Sequence, residues 1–283
     1  MSDRSRASPP VSLVTGSSSG IGRALARELM SRGSRCFASA RRPESLAELE
    51  AEGLETVRLD VADLDSIRSA VEQVLSRAGR IDLLVNNAGQ GLFGPLAELP
   101  LARVDALFEA NLRGPLAVAQ AVIPAMARQG EGRIANVGSM VGAVPTPWAG
   151  AYCASKAALH TLTEVLRMEV APFGIEVVLV VPGAVRSRVA SNAPADLERY
   201  GAPESLYRSA VEHIRRRAGA SQERPTEADA FARSLADALM RPRAPRVVRL
   251  GRGTGFLPIL TRLPGALRDR LFARQFGLDS LSR

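Results

Sequence analysis

Two side chains four residues apart pose the chemical question. Tyr152 and Lys156 stand in Tyr-Cys-Ala-Ser-Lys, and on a helix they share a face, about 6 Å apart along the axis. A free phenol titrates near ~10, so using it as a proton donor near pH ~7 needs roughly 4 kcal/mol of help. One cation about 4 Å away, at an effective dielectric of ~20, supplies about that much. Lys156 is also the only lysine among 37 basic residues. A compact, tunable point charge has been kept where the rest of the chain uses the planar arginine fork. The bland reading is a leftover lysine on a solvated helix face. Chance would rarely place that residue four positions after one of only three tyrosines.

Side chains of this kind need a frame, and its parts are legible along the chain. Val11 to Thr15 is a short apolar run that opens into Gly16-Ser-Ser-Ser-Gly20-Ile-Gly22, and an Ala/Leu-rich helical stretch follows to about Arg32. A glycine loop between a strand and a helix lets backbone approach a pyrophosphate whose charge faces the helix N-terminus. A tight turn that binds nothing is the plain alternative. The pattern predicts further strands at 34–40, 54–59, 81–85, 133–137, 175–181 and 246–250. Helices are predicted at 44–52, 63–78, 101–128 (adjusted around Pro115 and Pro124), 149–171 and 226–240, the last with Thr226 as N-cap. Alternation of this kind implies right-handed crossovers and a parallel sheet covered on both faces by helices. The expected organisation is a loose arm over 1–10, one dinucleotide-binding catalytic domain over 11–255 with a substrate lid at 184–225, and a basic C-terminal extension over 256–283.

The end of the second strand bears on the cofactor. An acidic residue there would accept hydrogen bonds from ribose hydroxyls, but the chain has Ala40-Arg41-Arg42. Arg41 and Arg42 can hold a 2′-phosphate instead, which favours NADP(H) over NAD(H). A surface arginine pair is the alternative in so arginine-rich a chain. Asp60, after the third strand, can contact an adenine or simply cap the next turn. Asn86-Asn87-Ala88-Gly89 follows the fourth strand, at the sheet edge where ligands collect.

Composition removes other classes. Hydrophobic content of 46% supports a sizeable core, with aromatics at only 4%. Two cysteines and two histidines make neither a disulfide framework nor a metal site of familiar spacing. No run of 18 apolar residues predicts a spanning helix, and the polar N-terminus lacks a signal core, so a cytoplasmic protein is expected. The net charge of +8 resides wholly in residues 241–283, which hold ten Arg and two Asp. That basic tail lacks the interleaved aromatics of a nucleic-acid binder, so no nucleic-acid partner is expected.

Taken together, Thr15-Gly-x-x-x-Gly20-x-Gly22, Asn86-Asn-Ala-Gly89, Ser139 thirteen residues before Tyr152-x-x-x-Lys156, and Pro182-Gly183 after the next strand resemble the short-chain dehydrogenase/reductase family over about residues 11–190. The resemblance implies a doubly wound α/β Rossmann-type sheet of about seven mostly parallel strands with helices on both faces, and an oxidoreductase that interconverts a ketone or aldehyde and an alcohol with a nicotinamide cofactor. It makes Tyr152 the general acid/base and Ser139 the group that holds the substrate oxygen. Lys156 lowers the Tyr152 pKa and holds the nicotinamide ribose, and Asn111 kinks a helix and holds a proton-relay water. Cofactor contacts are implied at Gly16, Ser18, Ser19, Gly20, Ile21 and Gly22. They continue at Arg41, Arg42, Asp60, Val61, Asn87, Ala88 and Gly89, and then at Tyr152, Lys156, Pro182, Gly183, Val185 and Ser187. Ser187 departs from the family's usual Thr but keeps a hydroxyl. A homodimer or homotetramer is implied as well.

The substrate is expected to be set by 184–225 and by the apolar loop from Met140 to Ala149, which carries Trp148. Both suit a hydrophobic carbonyl or alcohol of steroid, retinoid or lipid type, a weaker part of the resemblance. The contrasting reading is a nucleotide-binding scaffold or sensor of the same fold without turnover; such proteins lose one of the Ser, Tyr or Lys groups, and this chain has all of them. Residues 256–283 mix Phe, Leu and Arg. They are expected to pack back on the domain or on another subunit, with peripheral contact to an anionic membrane as the alternative.

Overall fold

The computed structural model describes residues 9–187 and 197–281. Seven strands are built: β1 (Val11–Val14), β2 (Arg35–Ala40), β3 (Glu55–Arg58), β4 (Leu83–Asn86), β5 (Gly132–Val137), β6 (Ile175–Pro182) and β7 (Val247–Leu250). They form one sheet in the order β3-β2-β1-β4-β5-β6-β7, and every pairing is parallel rather than mostly so. The chain leaves β1 for β2 on one side and returns to β4 on the other. That reversal opens a crevice beyond the carboxyl ends of β1 and β4, where ligands of doubly wound sheets sit.

The inner strands β1, β4 and β6 read as largely apolar runs because helices cover both faces, while the edge strand β3 (Glu-Thr-Val-Arg) does not. On one face pack α1 (Gly20–Ser31), α2 (Ala47–Ala51) and α8 (Ala228–Leu239), burying Leu25, Leu29, Leu49, Phe231 and Leu235. On the other pack α3 (Leu64–Ala78), α5 (Gly114–Gln129) and α6 (Gly150–Val170), burying Ile67, Val71, Val118, Val122 and Leu166. Each fully buried Leu or Ile contributes roughly 1.5–3 kcal/mol relative to exposure. Asp63 starts α3 by accepting the Asp65 and Ser66 N–H groups at 3.0 and 3.1 Å, and Gly79 in the left-handed region ends it.

Two assignments differ from the sequence expectation. The helix predicted at 101–128 is α4 (Leu101–Phe108), a π-turn at Glu109–Arg113, and then α5. The adjustment precedes Pro115 instead of centring on it, because an inserted π-turn carries the chain past Asn111. Thr226 is not the N-cap of α8; Glu227 is. Thr226 is held in a bridge to Val185, donating its N–H to Ala184 O and accepting from Arg186 N–H, both at 2.9 Å. Within the described part of 184–225 the chain forms short 3-10 turns and α7 (Val211–Gly219). Positions 1–8 of the expected arm and 188–196 of the expected lid lie outside the described residues.

The C-terminal extension packs back on the molecule. It contains α9 (Leu257–Leu260) and α10 (Gly265–Gln275). Leu260 and Phe272 lie against Val144, Leu179 and Val181. Phe276, Leu278 and Leu281 join a cluster above the sheet with Phe93, Trp148 and Tyr200. Leu267, Leu271, Phe256 and Ile259 stay exposed. No helix among the described residues is long and apolar enough to cross a membrane.

Candidate active site

Both expected catalytic side chains project from α6, and β5 brings Ser139 to meet them. Ser139 follows β5 and caps a short 3-10 turn, its Oγ accepting the Val141 N–H at 3.4 Å. Its own N–H donates to His160 Nε2 at 3.3 Å. The Ser139 side chain lies close enough to the Tyr152 phenol to act on its pKa. Lys156, one turn further along α6, is buried, and its Nζ donates to Val137 O at 2.9 Å. Gly89 lies over it, since a Cβ there would sit 3.6 Å from Nζ.

Asn111 enters from the π-turn and is fully buried. Its Oδ1 accepts the Gln90 N–H at 2.9 Å, while Nδ2 donates to Gln90 O at 2.9 Å and to Ser155 Oγ at 3.1 Å. Ser155 Oγ in turn donates to Tyr152 O at 2.8 Å. The π-turn, the segment after β4 and the first turns of α6 are thereby tied into one polar network. Such a network fixes side-chain positions because every buried polar group in it has a partner.

The electrostatics follow from burial. Desolvation pushes the Lys156 ammonium down to about 8. His160 falls to about 4, from burial first and then from the charges of Lys156 and Arg249, so it is neutral and its Nε2 can accept from Ser139. Burial raises the Tyr152 phenol above its ordinary value, with the Ser139 hydrogen bond and the positive charge of Arg217 acting against that rise. The sequence expectation is a downward displacement by Lys156. The net displacement is upward because burial penalises the phenolate, and the cation acting on Tyr152 is Arg217, while the Lys156 ammonium is engaged with the end of β5. A phenol displaced upward stays protonated near neutral pH, which is the form that can give a proton.

The cofactor side of the crevice is built by close backbone approach. Gly16 and Gly20 adopt φ of 72° and 56°, which only glycine takes without strain. A Cβ at Gly16 would lie 2.7 Å from Ala88 Cα, and one at Gly20 would lie 3.2 Å from Ser187 Cα, so the loop touches both Asn86–Gly89 and the chain after β6. Asn87 serves as a staple here. Its Nδ2 donates to Thr15 O at 2.9 Å and to Gly16 O at 3.2 Å. Thr15 Oγ1 accepts the Asn87 and Ala88 N–H groups, each at 3.0 Å. Ser19 precedes α1 without a side-chain cap, so the first-turn N–H groups face the crevice beside Ser18 and Ile21. Arg41 and Arg42 stand exposed at the end of β2, and among the described residues no carboxylate is paired with either. Asp60 accepts the Ala62 N–H at 3.1 Å and caps its own turn, the plainer of its two expected roles. Val61 O packs against Gly114 at the start of α5. After β6, Gly183 N–H donates to Leu250 O at 2.8 Å, Val185 is buried, and Ser187 N–H donates to Gln222 Oε1 at 3.1 Å. A glycine cradle, uncapped helix N–H groups and two unpaired guanidiniums are a donor set that fits a phosphorylated dinucleotide. Among the described residues no group of three or more His, Cys, Asp or Glu could hold a metal.

Sequence reasoning missed His160, Gln90, Ser155 and Arg217. His160 had a signal, since it lies one helical turn beyond Lys156. Arg217 had only its place in the run Arg215-Arg-Arg217, because its neighbours come from distant parts of the chain.

Comparison with known proteins gives the family. The family model for short chain dehydrogenase matches residues 10–198. The oxidoreductase YbbO of Escherichia coli strain K12 is 37% identical over 181 residues, covering 64% of this chain and 67% of that protein. An NADPH-dependent 1-acyldihydroxyacetone phosphate reductase of Schizosaccharomyces pombe is 36% identical over 198 residues, covering 69% and 67%. The crystal structure of a short-chain dehydrogenase from Streptomyces avermitilis superposes with a TM-score of 0.77 at 33% identity, over 96% of this chain and 97% of that one.

Proposed function

The chain belongs to the short-chain dehydrogenase family and is an oxidoreductase of CH–OH groups, and from that premise we propose that it reduces a hydrophobic, lipid-like ketone or aldehyde with NADPH. The observation that carries the reading is the convergence of Ser139, Tyr152 and buried Lys156 beside Gly89, at the mouth of the glycine-lined crevice. The bound nicotinamide supplies the hydride. Ser139 donates a hydrogen bond to the carbonyl oxygen as charge develops there. Tyr152, protonated near neutral pH, gives that oxygen its proton. Lys156, held down to about 8 by burial and still cationic at pH 7, stabilises the phenolate that results and can return a proton to it, and the Asn111–Gln90–Ser155 network holds the helix carrying Tyr152 in place. Arg41 and Arg42 take the 2′-phosphate, a choice supported by their freedom from carboxylate partners and by the NADPH dependence in the name of the fission-yeast relative. The lipid-like substrate is supported by that relative's acylated substrate and by the aromatic cluster of Phe93, Trp148 and Tyr207 over the site. Copies of the chain associate through the open apolar face of Leu112, Leu116, Leu162 and Val165, which no segment of the described chain covers.

A panel of hydrophobic ketones and aldehydes with NADPH and with NADH tests the reading. Tyr152→Phe should lower kcat by roughly 10²–10⁴ while NADPH binding persists. Arg41→Ala and Arg42→Ala should each weaken NADPH by roughly tenfold or more and leave NADH unchanged. NADPH binding without turnover of any carbonyl would favour the scaffold reading, and a strong preference for NADH would remove the cofactor assignment.

A further inference from the structure

Most arginines that approach the body of this protein meet a carboxylate. Arg23 and Arg27 pair with Glu48, Arg35 with Glu55, Arg80 with Asp82, and Arg133 with Glu176. Arg217 on α7 is different. Its guanidinium lies over the Phe93 ring at 5.6 Å and the Phe276 ring at 6.0 Å. Its Nε and Nη2 donate to Thr146 Oγ1 at 3.0 and 2.9 Å. Among the described residues no carboxylate pairs with it.

The position gives this cation a direction. Phe93 also packs on Tyr152, ring centroids 6.3 Å apart, so the guanidinium and the phenol are neighbours across a single ring. Arg217 acts on Tyr152 electrostatically, and burial pushes the guanidinium itself below its ordinary value. Its surroundings are assembled from four places in the chain. Thr146 comes from the loop before α6, Phe93 from the segment after β4, Arg217 from α7, and Phe276 from the end of α10. Trp148 secures the assembly. It holds φ of 64°, uncommon for a residue of its size, and its Nε1 donates to Phe276 O at 2.8 Å. Packing alone would be served as well by an uncharged chain such as methionine, which carries no desolvation cost. Two of the five guanidinium N–H donors are bonded to a neutral hydroxyl that fixes the plane of the fork, which leaves an edge for an oxyanion.

We propose that Arg217 is a specificity-determining residue that binds an anionic group, a carboxylate or a phosphate, on the carbonyl substrate. This rests on the oxidoreductase reading above and narrows its substrate class to amphiphiles with an apolar body and an anionic head. The head sits on Arg217 between the Phe93 and Phe276 rings, and the carbonyl reaches past Phe93 to Tyr152 and Ser139. The C-terminal segment, through Phe276, is part of the substrate site. Thr146 is a positioning residue, acting through Arg217.

The sole tryptophan of the chain, Trp148, lies in this cluster and reports its occupancy without any turnover. Octanoate, octyl phosphate and octan-1-ol are titrated into the NADP⁺-loaded protein and followed by Trp148 fluorescence. Both anions should bind tighter than the alcohol by roughly ten- to hundredfold, as a charged hydrogen bond allows. The stronger of the two separates phosphate from carboxylate recognition. Arg217→Met should remove the anion preference while the alcohol binds as before, and Arg217→Lys should restore part of it. Equal binding of anions and alcohol to the wild type, or an anion preference that survives Arg217→Met, overturns the proposal. If thermal melting shows Arg217→Met unfolded, Thr146→Val is read instead: it should cut the anion preference severalfold, and an unchanged preference overturns the proposal equally. Octanoate-linked and octyl-linked ketones, each as acid and ester, are then assayed with NADPH, and the acid should show the lower KM. Correct anion binding with no turnover of any ketone would count against the oxidoreductase reading alone.

Discussion

Replacing Lys156 by methionine should cost this protein its activity and leave its fold as stable or more so. Burial lowers the Lys156 ammonium from 10.5 to about 8. At pH 7 the fold therefore carries a charged group that the unfolded chain holds more favourably, a difference on the order of 3 kcal/mol. Methionine of similar volume removes that cost. It also removes the Nζ hydrogen bond to Val137 O, worth about 1–2 kcal/mol. The expected net change at pH 7 is a gain of about 1–2 kcal/mol. The sign with pH follows from the folded pKa lying below the unfolded one. The wild type is at its best above about 10.5, loses stability as pH falls towards about 8, and is level below that. The advantage of Lys156→Met should therefore shrink by about 2–3 kcal/mol between pH 7 and pH 10, which is enough to cancel or reverse it by pH 10. Urea denaturation of both proteins at the two pH values measures the difference, and other titrating groups cancel in it. A variant destabilised at pH 7 by a margin that does not change at pH 10 would refute the argument, because it would mean the ammonium is not desolvated.

Gly22→Ala tests the cradle. A Cβ there would run into the Asn87 amide and come 2.5 Å from Gly16 O, so the staple between β4 and the glycine loop must shift. The expected loss is about 1–3 kcal/mol with weaker NADPH binding, read by thermal melting with and without cofactor; an unchanged melt would show that Asn87 is not needed there. Sedimentation velocity should find a dimer or larger species that Val165→Glu converts towards monomer, Val165 being exposed on the open apolar face. A wild type that is monomeric at every concentration would exclude that face as an interface.

Much of this molecule is written in local patterns. The seven strands lie within a residue or two of the predicted positions, because inner strands covered on both faces are largely apolar. The glycines of 16–22 announce a loop whose backbone must take positive φ and approach Ala88. Tyr152 and Lys156 were legible from type and spacing, since one helical turn brings them to one face. None of these inferences needs a contact between distant parts of the chain.

The rest depended on such contacts. The π-turn that carries Asn111 inward is set by its bonds to Gln90 and Ser155, and Thr226 gives up its capping role because β-bridging to Val185 reaches it first. The neutral state of His160, the upward displacement of Tyr152 and the depressed Lys156 all follow from burial, and burial is a property of packed surfaces that no residue carries alone. Arg217 shows the division most plainly. As a sequence it is the third member of an arginine run. Only the return of Phe276 to meet Phe93, Thr146 and Trp148 turns it from a solvated charge into a desolvated one facing the phenol. Residue types and short spacings select the reaction, because proton donors and backbone turns are local requirements. The substrate is selected by tertiary structure, because the free energy of a charge is set by the medium that distant segments build around it.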